Sequence, residues 1–373
     1  MKIGILTFHR AINYGAVLQC YALSECLKRM GHDAVVIDYR PEYIEKYRKT
    51  IPFYDIRQSK GFIGKLKQLI SLFLSIKGRK EAKERFDAFL LQHFTFSKQF
   101  TKSDCFPQDY DLVVFGSDQI WSPQICDGFD PVYWGQFQHK NTRFVTYAAS
   151  LGGHNHLNNH EWNAVGIYLQ SFSSISVREQ QLQKDLQNRL GISSEVVVDP
   201  TILVKEDVFE RIVEKPQNMP DNYVLVFSVA PTDNLMGFAE KVASETGSEI
   251  VELTVNKPVI LRGRKTRHIN VNPTVGEFLG WFKYARCIVT VSFHGTVFSV
   301  IFRKDFYSLA NYMQDRAVYF LDSVGLVDRL QKSDEETIQN LVYRPVDYTE
   351  IEKKLTYIRK QSEEYINKSI KNE

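Results

Sequence analysis

The hydrophobic and polar positions of this chain alternate between short apolar runs and longer stretches with helical spacing. Ile3–Thr7 predicts a buried strand, Ala16–Met30 predicts a helix that ends at Gly31, and Ala34–Asp38 predicts a second strand. A strand, a helix and a strand in this order are typical of a βαβ unit with parallel strands. The chain therefore opens as a parallel α/β domain does.

The same alternation continues and predicts a first doubly wound domain over residues 1–210. A long connection up to Tyr110 contains a predicted helix over residues 61–93, and further helices are predicted at Glu161–Gln170 and Glu179–Leu190. The remaining strands of this domain are predicted at Leu112–Phe115, Phe144–Ala148, Ser174–Val177 and Val196–Val198.

Segment 205–221 ends in a stretch of Pro and Asn and is the predicted linker to a second domain over residues 221–345. A charged helix is predicted over residues 346–373, and packing back on the first domain is one arrangement open to it. The second domain has predicted strands at Tyr223–Val229, Glu249–Leu253, Cys287–Val291 and Phe306–Leu309, and predicted helices at Asn234–Thr246, Val275–Ala285, Gly295–Phe302 and Gln314–Val324. We therefore predict an α/β fold of two Rossmann-like, doubly wound domains that face a cleft.

Composition places the chain among ordinary globular proteins. Hydrophobic residues make up 43% and charged residues 24%, which argues against a disordered chain. The net charge of +3 is too small for 373 residues to indicate a nucleic-acid partner. The five cysteines lack the spacing of a zinc site or of a disulfide framework, and no secretion leader follows Met1. These features lead us to expect a cytoplasmic protein.

One segment has the pattern of a membrane-surface helix. Residues 63–86 alternate Leu, Ile and Phe with Lys and Arg, a basic amphipathic pattern that suits the anionic inner face of a cell membrane. A helix packed on protein with a solvated basic face explains the same pattern more simply. No apolar run reaches the ~18 residues needed to cross a bilayer, so peripheral contact is the most that we expect.

The most informative candidate site is the turn after the predicted strand Cys287–Val291. Ser292, His294, Gly295 and Thr296 follow this strand and open the next helix. Ligands of open α/β sheets bind beyond the carboxyl ends of the strands, and the N–H groups at a helix start can hold an anion. An imidazole beside an anion site suits phosphate-releasing chemistry, with His294 as the proton donor. A histidine that caps the helix or packs in the core is the alternative.

The loop after the first predicted strand carries a second group of candidates. It contains a single glycine, Gly15, so it lacks the glycine pattern of a dinucleotide site, which argues against NAD as a ligand. Asn13, Tyr14 and Gln19 are candidate contacts for an acceptor substrate. A plain helix cap by Asn13 is the alternative.

Polar and aromatic residues also follow the predicted strand Leu112–Phe115. Ser117, Asp118, Gln119 and Trp121 supply hydroxyl, carboxylate and amide groups and an indole face, the groups with which proteins bind sugars. We expect them to contact sugar hydroxyls. A simple turn cap is the alternative for Asp118.

Arg178 ends another predicted strand and is the candidate anion ligand of the first domain. Its guanidinium offers a fork of donors that fits a carboxylate or a phosphate. An ion pair with Glu179, or with a carboxylate elsewhere in the fold, is an equally open alternative. Asp199 ends the last strand of this domain and is expected to form a turn.

Taken in order, these pieces resemble the polysaccharide pyruvyl transferase family. The resemblance covers about residues 3–330 and is carried by five blocks. They are Asn-Tyr-Gly-Ala at 13–16, Gly-Ser-Asp-Gln-Ile-Trp at 116–121, Ser-Val-Arg-Glu at 176–179, Val-Asp-Pro-Thr at 198–201 and Ser-Phe-His-Gly at 292–295. The resemblance implies a GT-B-like fold of two domains.

The resemblance also implies an activity. Members of the family transfer pyruvate from phosphoenolpyruvate onto two hydroxyls of one sugar, which gives a cyclic ketal and releases phosphate. The implied acceptor is a precursor of a bacterial surface polysaccharide, such as a capsule or an exopolysaccharide, and a polyprenyl-linked oligosaccharide is one form of it. No metal and no cofactor besides the co-substrate phosphoenolpyruvate is implied. His154, His156 and His160 are more simply a polar loop than a metal site.

The family resemblance assigns roles to the candidate residues, with His294 as the general acid. Several members carry Arg-x-x-His in the last block, and this chain lacks that arginine, so donor binding would depend more on Arg178 and Arg316. The other donor contacts are Ser292, Gly295 and Thr296, and the acceptor contacts are Asn13, Tyr14, Gln19, Ser117, Asp118, Gln119 and Trp121.

Two other functions could use the same elements. A GT-B glycosyltransferase with a nucleotide-sugar donor would bind a nucleotide in the second domain. A two-domain sugar-binding protein without turnover would never release phosphate and would keep its ligand affinity after the loss of His294.

Overall fold

The computed structural model describes residues 1–49, 62–102, 106–107, 109–137, 141–152, 157–229, 234–254, 268–309 and 315–372. The chain divides into two compact units. The first unit contains residues 1–47, 90–208 and 355–373, and the second contains residues 48–89 and 209–354. Each unit is built on its own parallel sheet.

The first unit has a five-stranded parallel sheet. Its strands are β1 (Lys2–Leu6), β2 (Asp33–Val36), β3 (Leu112–Phe115), β4 (Arg143–Thr146) and β5 (Phe172–Ser174), and a two-stranded sheet follows with β6 (Ser176–Val177) and β7 (Glu195–Val196). The order β2-β1-β3-β4-β5 is the 2-1-3-4-5 order of flavodoxin-like folds. Most positions of the central strands are buried on both faces, because helices cover both sides of the sheet.

The helices of the first part of the chain are α1 (Tyr14–Arg29), α2 (Glu42–Arg48), α3 (Phe62–His93), α4 (Asn159–Tyr168), α5 (Gln180–Leu190), α6 (Pro200–Leu203) and α7 (Glu206–Glu210). Helix α1 begins two residues earlier than predicted, because the side chain of Asn13 accepts hydrogen bonds from the first turn and caps it. Leu23 and Leu27 of α1 pack in one apolar core with Ile3 and Ile5 of β1.

The second unit has a six-stranded parallel sheet. Its strands are β8 (Tyr223–Phe227), β9 (Glu249–Thr254), β10 (His268–Val271), β11 (Cys287–Thr290), β12 (Asp305–Leu309) and β13 (Leu330–Gln331). The order β10-β9-β8-β11-β12-β13 is the 3-2-1-4-5-6 order of the Rossmann fold. Strands β10 and β13 are not predicted from the sequence, since β10 alternates polar with apolar residues over four positions and β13 has only two residues.

The remaining helices are α8 (Leu235–Thr246), α9 (Val275–Tyr284), α10 (Phe293–Ile301), α11 (Asp315–Val324), α12 (Glu335–Gln339) and α13 (Thr349–Lys371). Helix α9 begins at a capping box: the hydroxyl of Thr274 accepts from the N–H of Glu277, and the Glu277 carboxylate accepts from the N–H of Thr274.

One segment groups differently from the predicted domain boundaries, and the C-terminal helix has the arrangement that the sequence left open to it. Residues 48–89 belong to the second unit rather than to the first domain, because Nη1 of Arg85 donates to the Asn272 carbonyl at 2.5 Å and Asn272 Nδ2 donates to the Gly78 carbonyl at 2.8 Å. Residues 355–373 belong to the first unit, where the hydroxyl of Tyr365 donates to the Thr146 carbonyl at 2.9 Å. The division after residue 208 falls inside the predicted linker.

The strand order reverses once in each sheet, and several of the candidate residues lie at these points. Strands β1 and β3 are neighbours in the first sheet and lead into the loops that carry Asn13 and residues 116–119. Strands β8 and β11 are neighbours in the second sheet, and β11 leads into Ser292 and His294. A crevice at such a point is where α/β sheets bind ligands.

Candidate active site

Helix α10 begins directly after β11, and a cap fixes its first turn. The Ser292 hydroxyl accepts from the N–H of Gly295 at 3.3 Å, and the Ser292 carbonyl accepts from the N–H of Thr296 at 2.9 Å. The sequence predicts that these two N–H groups hold the departing phosphate. They are already hydrogen-bonded within the helix, so the structure does not support this contact.

Thr296 is also part of the scaffold rather than of a ligand surface. Its side chain is fully buried, its hydroxyl lies 2.9 Å from the Ser308 hydroxyl, and it donates to the Ser292 carbonyl at 3.2 Å. Thr296 therefore has a structural role instead of the predicted contact with the donor substrate, because its side chain joins α10 to β12 by a hydrogen bond.

Gly295 allows α10 to pack closely on β11. A Cβ atom at Gly295 would lie 2.3 Å from the hydroxyl oxygen of Thr290. That hydroxyl cannot move away easily, because it donates to the Phe227 carbonyl at 2.8 Å and accepts from the N–H of Ser292 at 3.0 Å. Only glycine fits this position without displacing the helix that carries His294.

We expect Gly295→Ala to lower the free energy of unfolding by about 1–3 kcal/mol, because the added methyl group overpacks the contact between α10 and β11. Gly237→Ala is the matched control. Gly237 lies inside α8, where a Cβ atom would meet only Ile338 Cδ1, at 3.9 Å, so alanine should be tolerated or slightly stabilising there. Denaturant unfolding followed by circular dichroism measures both variants. A free energy of unfolding of Gly295→Ala equal to that of the wild type would contradict the close packing at Gly295.

The side chains of His294 and Arg316 contact the same aromatic ring. His294 is 9% exposed, and its imidazole lies edge to face with the ring of Phe293, with centroids 5.1 Å apart. The guanidinium carbon of Arg316, on α11, lies 5.2 Å from the centroid of that ring. The structure thus brings two predicted residues from different helices together. Phe293, which joins them, is not among the predicted site residues, although it stands between two of them in the sequence.

In the first unit, a buried chain of hydrogen bonds joins the loops after β1 and β3. Gln19 is fully buried, and its Nε2 donates to the Thr7 hydroxyl at 3.0 Å. The Thr7 hydroxyl donates to the Ser117 carbonyl at 2.6 Å. The side chain of Ser117 is also fully buried and accepts from Nη2 of Arg178 at 2.5 Å. Gln19 and Ser117 therefore support the two loops from inside, which contradicts their predicted contact with the acceptor.

Arg178 forms a buried ion pair. Its Nη2 lies 2.8 Å from Oδ2 of Asp199, and the two side chains are 4% and 0% exposed. Asp199 also accepts from the N–H and the hydroxyl of Thr201, at 2.9 and 2.6 Å. Of the alternatives predicted for Arg178, the structure contains the ion pair with a carboxylate that is distant in sequence. This pair opposes the predicted role in donor binding, because Nη2 is already directed at Asp199 and Ser117.

Three predicted acceptor residues remain accessible. Asn13 is exposed, and its Oδ1 caps α1 by accepting from the N–H of Gly15 at 2.9 Å. Asp118 and Gln119 are half-buried, and Asp118 turns the chain with a φ of 77°. The Asp118 carboxylate accepts from the N–H of Gln119 at 2.9 Å. Carboxylate and amide groups therefore stand at the carboxyl ends of β1 and β3.

Tyr14 and Trp121 belong to the core of the first unit. Their exposed fractions are 2% and 1%. The Trp121 ring stacks on Trp134 with centroids 4.2 Å apart, and its Nε1 donates to the Tyr133 carbonyl at 2.8 Å. The structure contradicts the predicted sugar contacts of Tyr14 and Trp121, because both rings are covered by protein.

His9, in the loop after β1, forms a buried polar cluster that is not predicted from the sequence. Its Nε2 lies 3.1 Å from Oδ1 of Asp38, and Arg40 donates to both oxygens of that carboxylate at 2.8 and 2.7 Å. Burial alone would raise the pKa of Asp38. The hydrogen bonds from His9 and Arg40 together outweigh it and hold the pKa of this carboxyl well below its ordinary value.

The lowered pKa of Asp38 predicts a loss of stability in acid. An unfolded Asp titrates at about 3.9. The stabilisation by Asp38 is therefore present above that pH and is lost as the pH falls towards its folded pKa. We expect the denaturant midpoint of the wild type to fall between about pH 4 and pH 2, and that of Asp38→Asn to fall less. If the denaturant midpoints of the wild type and of Asp38→Asn fall equally with pH, this role of Asp38 is contradicted.

A cavity of about 460 Å³ lies in the second unit, away from the candidate residues. Tyr307 of β12 lines it. Neighbouring residues of a strand face opposite sides of a sheet, and the next residue, Ser308, contacts Thr296 of α10. The cavity therefore lies across the sheet from His294.

The described parts of the chain contain no cluster of His, Cys, Asp and Glu that could hold a metal ion. His160 is exposed, and His154 and His156 lie outside the described residues. Burial raises the pKa of the thiols of Cys20, Cys126 and Cys287, so these residues are not reactive thiolates at neutral pH. Cys105 also lies outside the described residues.

Within the described ranges, no helix combines the length and the apolar character that crossing a bilayer requires. The predicted membrane-surface segment forms part of α3. Its side chains up to residue 75 lie outside the described residues, so the predicted surface contact stays a prediction.

Comparison with known protein families shows to which family the chain belongs. A sequence profile described as "Polysaccharide pyruvyl transferase" matches residues 13–312, which is most of the chain. The chain belongs to the polysaccharide pyruvyl transferase family. The predicted family is thus confirmed, and the matched region of this pyruvyl transferase family member contains all five blocks. No curated protein sequence matches the chain significantly.

Two solved structures are similar in fold to this pyruvyl transferase family member. One is the S. aureus MnaA protein with UDP, at 12% identity and a TM-score of 0.54, covering 100% of this chain and 96% of that one. The other is the Neisseria meningitidis UDP-GlcNAc 2-epimerase bound to UDP-GlcNAc, at 11% identity and a TM-score of 0.51, covering 100% of both chains. The likeness agrees with the strand orders and confirms the predicted class, an α/β fold with two Rossmann-like domains.

Proposed function

We propose that this transferase moves pyruvate from phosphoenolpyruvate onto two hydroxyls of one sugar in a bacterial surface-polysaccharide precursor, forming a cyclic ketal. Membership of the family supports a transferase of polysaccharide biosynthesis. The shared contact of His294 and Arg316 with one ring is the observation that carries the donor assignment. Both side chains contact the first residue of α10, the helix that follows β11, and the strand order of the second sheet reverses between β8 and β11.

Arg316 is the donor ligand in this proposal. Its guanidinium can bind the carboxylate or the phosphate of phosphoenolpyruvate through paired N–H donors. Arg178 has no direct part in donor binding, because it is paired with Asp199 inside the first unit. Ser292 and Gly295 act indirectly, since the cap and the close packing of α10 hold the His294 backbone in place.

His294 acts as the general acid. It protonates the CH₂ carbon of phosphoenolpyruvate, which makes C2 electrophilic. A sugar hydroxyl attacks C2, and its proton returns to the imidazole. The bond between C2 and the phosphate oxygen then breaks, and the second hydroxyl closes the ring at C2. The proton of the second hydroxyl leaves with the phosphate, so atoms and charges balance without a further reactant.

The acceptor side uses the three accessible residues of the first unit. Asn13, Asp118 and Gln119 offer amide and carboxylate groups at the carboxyl ends of β1 and β3. Such groups form directed hydrogen bonds to sugar hydroxyls. We place the reaction in the cytoplasm, with peripheral membrane contact through the basic segment 63–86 when the acceptor is polyprenyl-linked.

A thermal-shift comparison tests the donor. We expect phosphoenolpyruvate to raise the melting temperature of the wild type, because a ligand that binds only the folded state stabilises it. We expect UDP-GlcNAc and UDP, at the same concentrations, to have no such effect. Arg316→Ala should clearly reduce the shift, and Arg189→Ala, at an exposed arginine of α5, should keep it. Stabilisation by UDP-GlcNAc or UDP alone would favour a nucleotide-sugar glycosyltransferase and contradict the proposal.

A further inference from the structure

We propose that Phe293 is a positioning residue that orients Arg316 for the anionic donor. The inference rests on the proposed function, because it deepens the role of the same site. Phe293 is the first residue of α10, so the Ser292 cap fixes its backbone. Its side chain is 8% exposed and also contacts Phe320 of α11, with ring centroids 6.5 Å apart. The ring therefore has a fixed place between the two helices.

The contact with Arg316 is of the cation–π kind. The guanidinium carbon lies over the Phe293 ring, 5.2 Å from its centroid. In such a contact the ring attracts the positive charge, while N–H groups at the edge of the planar guanidinium can still point away from the ring. These edge groups are the ones that bind a carboxylate or a phosphate in pairs. Phe293 thus holds Arg316 without occupying its anion-binding edge.

The same ring also contacts the proton donor. The imidazole of His294 meets Phe293 edge to face, 5.1 Å between centroids and at an interplanar angle of 72°. One phenylalanine therefore sets the position of the cation relative to the acid. A loss of the ring should weaken donor binding through Arg316 first, since the backbone of His294 is held independently by the cap of α10.

A double-mutant cycle tests this role. Phe293→Leu removes the ring face but keeps an apolar side chain, and Phe293→Tyr keeps the ring. Titration calorimetry with phosphoenolpyruvate should show a dissociation constant about fivefold higher in Phe293→Leu, in line with a partly exposed cation–π contact. The Phe293→Tyr variant should stay within about twofold of the wild type. In an Arg316→Ala background, Phe293→Leu should add no further loss, because the ring acts through the guanidinium.

A second readout keeps this inference separate from the proposed function. In the unliganded protein, the NMR signal of the Arg316 Nε–H, assigned by its absence in Arg316→Lys, should show a ring-current shift. Phe293→Leu should remove the shift and Phe293→Tyr should keep it. If the wild type shows the ring-current shift but does not bind phosphoenolpyruvate, the proposed donor is overturned, and Phe293 remains the residue that orients Arg316. An unshifted signal in the wild type, or an equal effect of Phe293→Leu with and without Arg316, would overturn the inference itself.

Discussion

Replacing His294 by alanine is expected to lower phosphoenolpyruvate-dependent phosphate release at least about a hundredfold, the low end of what a positioned general acid contributes. The proposed reaction needs a proton on the CH₂ carbon before C2 can be attacked, and alanine supplies none. The fold should survive, because the cap of α10 is made by Ser292 and by backbone groups rather than by the imidazole. A discontinuous phosphate assay measures the rate, and circular dichroism checks the fold.

His160→Ala is the matched control for this experiment. His160 is exposed at the start of α4, where only its backbone N–H takes part in the helix cap. Its replacement should leave phosphate release unchanged. The His294→Ala variant should still bind phosphoenolpyruvate with a dissociation constant close to that of the wild type, because Arg316 is intact. Normal turnover in the His294→Ala variant would exclude His294 as the acid.

Replacing Arg178 by alanine should lower the free energy of unfolding by about 3–5 kcal/mol, the usual loss when one partner of a buried ion pair is removed. Asp199 would keep a charge at a fully buried position, with the hydrogen bonds of Thr201 as its remaining contacts among those described above. Denaturant unfolding at neutral pH measures the loss. The variant should also show weakened order in the loop after β3, since Ser117 loses its bond to Arg178.

Two further variants make this stability prediction specific. Arg29→Ala removes the partner of Asp207 in an exposed pair, with side chains 37% and 56% exposed, and should cost less than about 1 kcal/mol. The double variant Arg178→Met with Asp199→Leu should lose clearly less than Arg178→Ala, because it leaves no buried charge. A loss in Arg178→Ala as small as that in Arg29→Ala would show that the buried pair contributes little.

The fold could be predicted from the sequence because parallel strands in this protein are short apolar runs separated by helices. The runs Ile3–Thr7 and Cys287–Val291 both correspond to strands at the centre of a sheet. Strand β13 could not be predicted, since a two-residue strand has no periodicity. The strand orders could not be predicted either, because the apolar pattern shows where a strand lies in the sequence but not which strand it pairs with.

The place of the candidate site could be predicted better than the role of each residue in it. Loops that follow parallel strands meet at one edge of a sheet, so Asn13, Asp118 and His294 were correctly assigned to strand ends. Whether a polar side chain there faces a ligand or the interior depends on packing. Gln19 and Ser117 face the interior, which their residue types do not reveal.

Arg178 illustrates the same limit for charged residues. Its position after a strand is compatible with anion binding and with an ion pair, and only the distance to Asp199 distinguishes them. The two residues lie about 20 positions apart, a separation at which no local rule predicts an ion pair. Phe293 was missed for a different reason: an apolar residue between Ser292 and His294 is not usually considered a site residue, yet it contacts both His294 and Arg316.

The central claim is that the protein protonates phosphoenolpyruvate on carbon and passes the resulting pyruvyl group to a sugar. The most direct test is mass spectrometry of candidate surface-polysaccharide precursors, among them polyprenyl-linked oligosaccharides, incubated with the enzyme and phosphoenolpyruvate in D₂O. We predict that one of these acceptors gains a single ketal-linked pyruvate with one deuterium in its methyl group, and that the His294→Ala variant gives none. A pyruvylated product whose methyl group carries no deuterium, or formation of the ketal at the wild-type rate without His294, would contradict the claim.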